Sequence, residues 1–180
     1  MSKYTLIVPI AADTDKMGTE MPYLFGLDSN GLMYCVKSIM GLPLEAFSDI
    51  YFTILHKHNL RYKLLEMMQI QFERLGIAHK THVYELWEST SSQPETLYHT
   101  VVGNHITGAV LFKHGDSYFT TEVYPENMLY IFPLDGLQVV NPQNKSYVTI
   151  DEQYYITNII EKKIVSRFFC AGGYSIEDVQ

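Results

Sequence analysis

The sequence predicts an α/β fold with a mostly parallel sheet in its first half and short strands in its second half. Up to about residue 116, apolar runs rich in β-branched residues alternate with segments whose apolar residues recur every three or four positions. This alternation favours parallel strands joined by helical crossovers. Beyond Ser117 short strands and turn residues dominate. With 180 residues, 47% of them hydrophobic, the chain can close one core, so we expect a single domain over residues 1–180.

The first half is predicted to contain four strands that alternate with three helices. The strands are runs of apolar and β-branched residues, expected at 4–10, 49–56, 81–87 and 108–112. The helices have one apolar face and are expected at 31–40, 59–75 and 94–105. Asn59 stands at the N-cap of the second helix, while Ser92 and Glu95 have the spacing of a capping box at the third.

The second half is predicted to be mostly β, with strands at 118–124, 128–132, 147–150 and 154–160. The two glycines of Cys170-Ala-Gly-Gly-Tyr174 indicate a turn or a bulge where the backbone can pass close to a ligand. Cys35 and Cys170 lie far apart and belong to no metal-like pair, so both are expected to be reduced packing residues.

The charge of the chain argues against a nucleic-acid partner. Twenty acidic residues against 13 basic ones give a formal net charge of -7, and no basic face is expected to collect phosphates. Residues 1–10 hold one lysine and a short apolar run that ends at Pro9, which is neither a signal peptide nor a membrane span. We therefore expect a cytoplasmic protein that does not bind membranes, and an oligomer is compatible with the sequence.

Asp116 is the first candidate for chemistry. It lies in a turn with Gly115, just past a predicted buried strand, where a carboxylate can face a ligand crevice and bind a hard cation. The alternative is an aspartate that only satisfies the backbone of its own turn. The loop 11–20 follows the first strand, where phosphate loops lie in such sheets, but its acidic residues outnumber Lys16, so a solvated loop is the alternative there.

Two further groups of polar residues carry weaker signals. Glu161 and Lys162 end a predicted strand and could bind a polyhydroxyl ligand, because Glu accepts and Lys donates hydrogen bonds; a solvated strand end is the alternative. Among the histidines, the pairs His56 with His58 and His79 with His82 have zinc-like spacing. No cysteine or carboxylate stands at ligand spacing beside them, so polar edge residues are the favoured interpretation.

Several segments, taken in order, resemble the sugar-phosphate nucleotidyltransferases, also called nucleotide-sugar pyrophosphorylases. The likeness spans most of the chain. Seven segments carry it: residues 6–12 resemble the first strand and the start of the nucleotide loop, 21–24 the Pro-Lys-Pro segment, 31–42 the first helix, 89–96 the base-contacting loop, 108–119 the strand that ends at the magnesium aspartate, 155–162 the Glu-Lys-Pro strand, and 171–174 the Ala-Gly-x-Tyr turn.

The resemblance implies a three-layer Rossmann-like fold and a role for each matching residue. It implies that a nucleotide binds at Ala11, Ala12 and Gln93 in a nucleotide-binding half, residues 1–116. Asp116 would bind Mg²⁺. A sugar phosphate would bind at Glu161, Lys162 and Gly173 in a sugar-site half, residues 117–180. The implied partners are thus a nucleotide or nucleotide sugar and a sugar phosphate, and the implied process is polysaccharide biosynthesis.

The sequence departs from the family pattern at its cationic positions. Residues 13–19 replace the Gly-x-Gly-Thr-Arg type loop without an arginine, and Tyr23 stands where the family has a lysine. The resemblance also implies a second metal-binding carboxylate further along the chain, for which residues 1–180 hold no counterpart. Three functions stay open: an active nucleotidyltransferase, an inactive nucleotide-sugar-binding or assembly module, and a glycosyltransferase, which would usually carry Asp-x-Asp where this chain has His114-Gly-Asp116.

Overall fold

The computed structural model describes residues 4–12, 21–136 and 141–180. Two compact units are present: the first takes in residues up to Asn127 together with Ser175–Gln180, and the second is Met128–Tyr174. The expectation of one domain, with halves that meet at residue 116, stays a prediction. None of the helices in the described ranges is long and apolar enough to cross a membrane.

The first unit is built on a parallel sheet, as predicted. Four of its strands lie in the order β3-β2-β1-β4 and all pairs among them are parallel. Every residue of β1 and β4 is buried, which is why both strands are continuously apolar or nearly so. The bounds are β1 Tyr4–Pro9, β2 Asp49–Leu55, β3 Thr81–Leu86 and β4 Ala109–Lys113.

Four helices connect these strands: α1 Tyr34–Lys37, α2 His56–Tyr62, α3 Leu64–Arg74 and α4 Gln93–Gly103. The helix predicted over 31–40 is therefore wrong in length, since only α1 forms there. The one predicted over 59–75 is interrupted at Lys63, whose φ of 56° turns the chain. Asn59 still serves as a cap, because its side-chain oxygen accepts the amide of Leu65 at 3.0 Å.

The start of α4 agrees with the prediction in part. The Ser92 hydroxyl accepts the amide of Glu95 at 3.4 Å, as a capping residue should. The Glu95 carboxylate instead accepts from the backbone amide of Ser91 at 2.6 Å and from its hydroxyl at 2.7 Å, one residue earlier than in a capping box. These bonds, the hydroxyl first, lower the pKa of Glu95.

The second unit is antiparallel where β6 pairs with β7 and with β8, and β5 also pairs with β8. The strands are β5 Met128–Pro133, β6 Ser146–Ile150, β7 Ile156–Glu161 and β8 Phe168–Ile176, whose last two residues belong to the first unit. The β-rich second half is thus confirmed. Of the turn or bulge expected at 170–174, the turn is wrong, because these residues lie within β8; there Gly172 takes a φ of 86° that glycine adopts without strain.

The strand predicted at 118–124 is also wrong. Residues 118–124 do not form a strand, because they lie against the turn at Gly41 instead of a neighbouring strand. The amide of Thr121 donates to the carbonyl of Gly41 at 3.4 Å. A Cβ at Gly41 would lie 2.1 Å from the Phe119 oxygen, so the two segments approach as closely as only glycine permits. Alternating side chains are typical of any extended segment, so this pattern did not establish that the segment belongs to a sheet.

Candidate functional site

Asp116 lies in a turn directly after β4, at the carboxyl end of the parallel sheet. Its side chain is exposed, whereas Gly115 before it is buried. A Cβ on Gly115 would stand 2.5 Å from Cγ2 of Ile10, the residue that follows β1. The turn therefore packs against the end of β1, and it can do so only because residue 115 has no side chain. This contact holds the turn of Asp116 against Ile10, one residue before Ala11, at the edge of the sheet where ligands of open α/β sheets bind.

We expect Gly115→Ala to destabilise the first unit by about 1–3 kcal/mol, since Ile10 is buried and stiff at its branched carbon and must move to admit the new methyl group. Urea unfolding measures the cost. The matched control is the same change in an Ile10→Ala background, where the colliding atom is gone. A cost that is equal in both backgrounds would show that this contact does not constrain the turn.

Asp116 is one of the residues that line a cavity of about 160 Å³. Its three aromatic lining residues are all tyrosines, and the full lining is Tyr23, Tyr34, Lys37, Ser38, Gly115, Asp116, Ser117 and Tyr118. Ligand pockets for whole organic molecules usually occupy about 300–1,000 Å³, so this cavity admits a part of a substrate, such as a phosphate group with its cation. A second cavity of about 440 Å³ shares Tyr118 in its wall and extends along residues 40–43 and 120–122.

Tyr23, which the resemblance aligns with a lysine, lines the same cavity as Asp116. Partial burial, and then the negative charge of Asp116, raise the pKa of the Tyr23 hydroxyl above its ordinary value of 10. The hydroxyl therefore keeps its proton at neutral pH and is available as a hydrogen-bond donor, but it brings no positive charge. The positive charge near Asp116 comes from other side chains.

Two lysines supply positive charge around Asp116. Lys37 lines the cavity from α1, and its ammonium group is 2.8 Å from a carboxylate oxygen of Asp28. This bond, followed by the charge of Asp28, raises the pKa of Lys37. Lys113, the last residue of β4, has no exposed surface. Its ammonium donates to the carbonyls of His114 and Ser117 and to the Ser117 hydroxyl, and it stands 4.5 Å from the centre of the Phe119 ring.

Hydrogen bonds from Lys113 stabilise the turn that carries Asp116. All three of its ammonium hydrogens have acceptors, and all three acceptors belong to His114 and Ser117, the residues that flank Gly115 and Asp116. Burial lowers the pKa of Lys113 to about 8, and the charge of Asp116 opposes that shift. Lys113 was not among the residues predicted from the sequence. The available signal was a lysine at the end of an otherwise apolar strand, directly before His114-Gly-Asp116.

The residues around Asp116 fit a magnesium ion that a substrate helps to bind. No group of three or more His, Cys, Asp or Glu side chains that could hold a metal occurs among the described residues. Mg²⁺ commonly binds through one or two carboxylates and completes its shell with water and substrate phosphates, so one exposed carboxylate is a sufficient protein contribution. The zinc alternative gains no support: His56 is bonded to Glu85, and His82 lies 3.1 Å from Asp49.

The predicted nucleotide residues lie at the same edge of the first unit. Ala11 is buried and Ala12 exposed, and both follow β1. The rest of the predicted nucleotide loop, residues 13–20, lies outside the described residues. Gln93 is exposed as the first residue of α4. The helix N-terminus at Gln93 and the ends of β1 and β4 all face the carboxyl edge of the parallel sheet, in agreement with the expected topology.

The predicted sugar residues belong to the second unit. Glu161 ends β7 and its carboxylate is 2.7 Å from the ammonium of Lys162; this hydrogen bond lowers the pKa of Glu161. Lys162 has a φ of 57°, unusual for a residue with a side chain, and its amide donates to the carbonyl of Lys145 at 2.8 Å. Such conformations are often kept at ligand sites. Gly173 is buried within β8, apart from this exposed pair.

Solved structures show what this arrangement is similar to. A nucleoside-diphosphate-sugar pyrophosphorylase from Vibrio cholerae RC9 matches 97% of this chain and 73% of its own with a TM-score of 0.74 at 18% identity. The inositol-1-phosphate CTP transferase from T. maritima gives a TM-score of 0.73 at 13% identity, with 98% and 71% of the two chains covered. The chain has the nucleotide-sugar pyrophosphorylase fold.

A further structure with the pyrophosphorylase fold is a putative glucose-1-phosphate thymidylyltransferase from Bacillus anthracis, with a TM-score of 0.67, 13% identity, and 97% and 71% of the two chains covered. No protein-family model matches the sequence, and no curated protein matches it. The α/β fold class predicted from the sequence is therefore confirmed, as is the resemblance to the pyrophosphorylases at the level of the fold.

Proposed function

We propose that the chain is a nucleotidyltransferase that binds a nucleoside triphosphate or nucleotide sugar and transfers a nucleotidyl group to a sugar-1-phosphate. One observation carries the proposal: Asp116 is exposed in a cavity on a turn that Gly115 and Lys113 fix at the carboxyl edge of a pyrophosphorylase-fold sheet. The solved structures of similar fold support it, since all three act on phosphorylated sugars or polyols or on nucleotide sugars by name.

Each site residue receives a role in this proposal. Asp116 holds Mg²⁺, which when bound neutralises charge on the triphosphate. Ala11 and Ala12 contribute backbone to the nucleotide, and Gln93 contributes an amide that can donate to and accept from a base. Glu161, Lys162 and Gly173 bind the sugar in the second unit. Residues 1–116 would form the nucleotide-binding half and 117–180 the sugar-site half of one domain.

The reaction requires little covalent chemistry from the protein. A phosphate oxygen of the sugar-1-phosphate forms a bond to the α-phosphorus, and the bond from that phosphorus to the bridging oxygen breaks with release of pyrophosphate. Positioning and charge neutralisation are the main contributions of such sites. The Tyr23 hydroxyl can donate to a phosphate oxygen at the cavity around Asp116, and Lys37 supplies positive charge there once its pairing with Asp28 is shared with a phosphate.

The biological setting follows from this chemistry. Activated sugars made by such a reaction are precursors, so we place the protein in polysaccharide biosynthesis, in the cytoplasm where nucleoside triphosphates are abundant. The net charge of -7 disfavours nucleic acid as a partner.

The test is calorimetric titration of the whole chain with four ribonucleoside triphosphates, dTTP and a set of nucleotide sugars in Mg²⁺, together with a pyrophosphate-release assay on sugar-1-phosphates. We expect saturable binding of at least one nucleotide and release that requires a sugar-1-phosphate. Inorganic tripolyphosphate is the control for binding through charge alone. Binding without release for any acceptor would favour the non-catalytic module, and an absence of nucleotide binding would overturn the proposal.

A further inference from the structure

The chain's only tryptophan stands at the carboxyl end of β3 with its ring exposed. Leu55 and Leu86, the last residues of β2 and β3, are paired in register, so the residues that directly follow the two strands, His56 and Trp87, are also neighbours. Their ring centroids are 3.9 Å apart and the ring planes are inclined by 32°. Trp87 nevertheless keeps 78% of its surface exposed. The histidine therefore covers part of the indole and leaves a large aromatic surface open to a ligand.

Hydrogen bonds hold the histidine in place beneath the tryptophan. The His56 Nδ1 atom is 2.7 Å from a carboxylate oxygen of Glu85, which lies two residues before Trp87 on the same face of β3. The side-chain amide of Asn59 donates to that same oxygen at 3.2 Å. The imidazole orientation is thus fixed by β3 and α2 together, and the indole meets a preorganised ring.

The exposed ring lies close to the start of the nucleotide loop. Ala11 packs with Leu55 and Leu86 in one buried cluster, and these two leucines directly precede His56 and Trp87. Ala11, which follows β1, therefore lies beside the ends of β2 and β3. Glu85 places negative charge next to the ring, which disfavours a phosphate group at this point and leaves a neutral planar ring as the suitable occupant.

We propose that Trp87 is the stacking platform for the nucleobase of the bound nucleotide, with His56 as its support and Glu85 as a positioning residue. This inference rests on the proposed function, since it names the part of the substrate that the first unit recognises beside Ala11. Stacking on an aromatic ring tolerates every base, because each base has a π face. Base selection is then left to polar groups such as Gln93.

The sole tryptophan makes the test direct, since fluorescence excited at the red edge of the indole band reports on Trp87 alone. Titration of the whole chain with nucleoside triphosphates in Mg²⁺ is expected to quench this fluorescence with the same saturation curve as the calorimetric heat. Inorganic tripolyphosphate, which has no base, is expected to cause no quenching. Quenching by tripolyphosphate equal to that by nucleotides would contradict stacking.

Substitution separates stacking from mere proximity. Trp87→Ala is expected to weaken nucleotide binding by about 5- to 150-fold, and Trp87→Phe to restore most of it. Tyr98→Ala is the matched control, because Tyr98 is likewise exposed and contacts a histidine, on α4, and its removal should leave the affinity unchanged. Undiminished nucleotide affinity in Trp87→Ala would overturn the platform and leave the proposed function standing. Absence of nucleotide binding by the unaltered chain would overturn both.

Discussion

Asp116→Asn is expected to lower the rate of pyrophosphate release about a thousandfold, because it removes the one carboxylate charge of the cavity. A bound metal supplies several kcal/mol of charge stabilisation in phosphoryl transfer, and each 1.4 kcal/mol is about a tenfold change in rate. The substitution keeps the size of the side chain. Since the side chain is exposed, unfolding in urea should change by less than about 0.5 kcal/mol.

The matched control for this substitution is Glu126→Gln, which neutralises another exposed carboxylate of the first unit. It is expected to leave the release rate unchanged. A rise in the Mg²⁺ concentration needed for half-maximal release should accompany Asp116→Asn if the aspartate holds the ion. Equal rates for Asp116→Asn and the unaltered chain would exclude Asp116 from the metal site.

The parallel sheet was predictable because its strands are buried on both sides. In β1 and β4 every residue is buried, so the sequence is apolar apart from Thr5 and Lys113, and that signal is local. The helix over 59–75 was predicted without its break, because the apolar spacing of Leu64, Met68 and Phe72 is unaffected by one residue in the left-handed conformation at Lys63. Periodicity reports which face is buried, but it does not report a turn between two helices.

The strand predicted at 118–124 was wrong for a different reason. Its side chains alternate as in a strand. The segment nevertheless donates a hydrogen bond to the carbonyl of Gly41 and packs on that turn, about 78 residues earlier in the sequence. No pattern within seven residues identifies such a partner. The roles of Lys113 and Trp87 were likewise not predictable, because tertiary structure fixes the acceptors of the lysine and the histidine under the tryptophan. Asp116, in contrast, could be singled out from the residues of its own turn.

Lys113 gives rise to the second large effect, which appears in the pH dependence of stability. Its ammonium has no exposed surface, and burial lowers its pKa from an ordinary value of 10.5 to about 8, even though Asp116 opposes the shift. Below pH 8 the lysine is charged in both the folded and the unfolded chain, and the folded state bears the cost of burying that charge. Between about pH 8 and 10.5 the unfolded chain holds a proton that the folded chain has lost.

Stability therefore rises with pH across this window. The unfolded state binds more protons there, so the free energy of unfolding gains up to about 3 kcal/mol from Lys113 as the pH increases from about 8 to about 10.5. The measurement is urea unfolding of the unaltered chain and of Lys113→Met at several pH values. The difference between the two curves cancels all other titrating groups, and this difference should move in favour of the unaltered chain as the pH rises.

The Asp116→Asn variant tests whether Asp116 opposes the lowering of the Lys113 pKa. Removing the carboxylate takes away the interaction that favours the charged ammonium, so the rise in stability should begin at a lower pH than in the unaltered chain. A difference between the unaltered chain and Lys113→Met that stays constant from pH 8 to pH 10.5 would mean that the Lys113 ammonium remains charged in the folded state. The turn at Asp116 would then carry a permanent positive charge beneath it throughout this pH range.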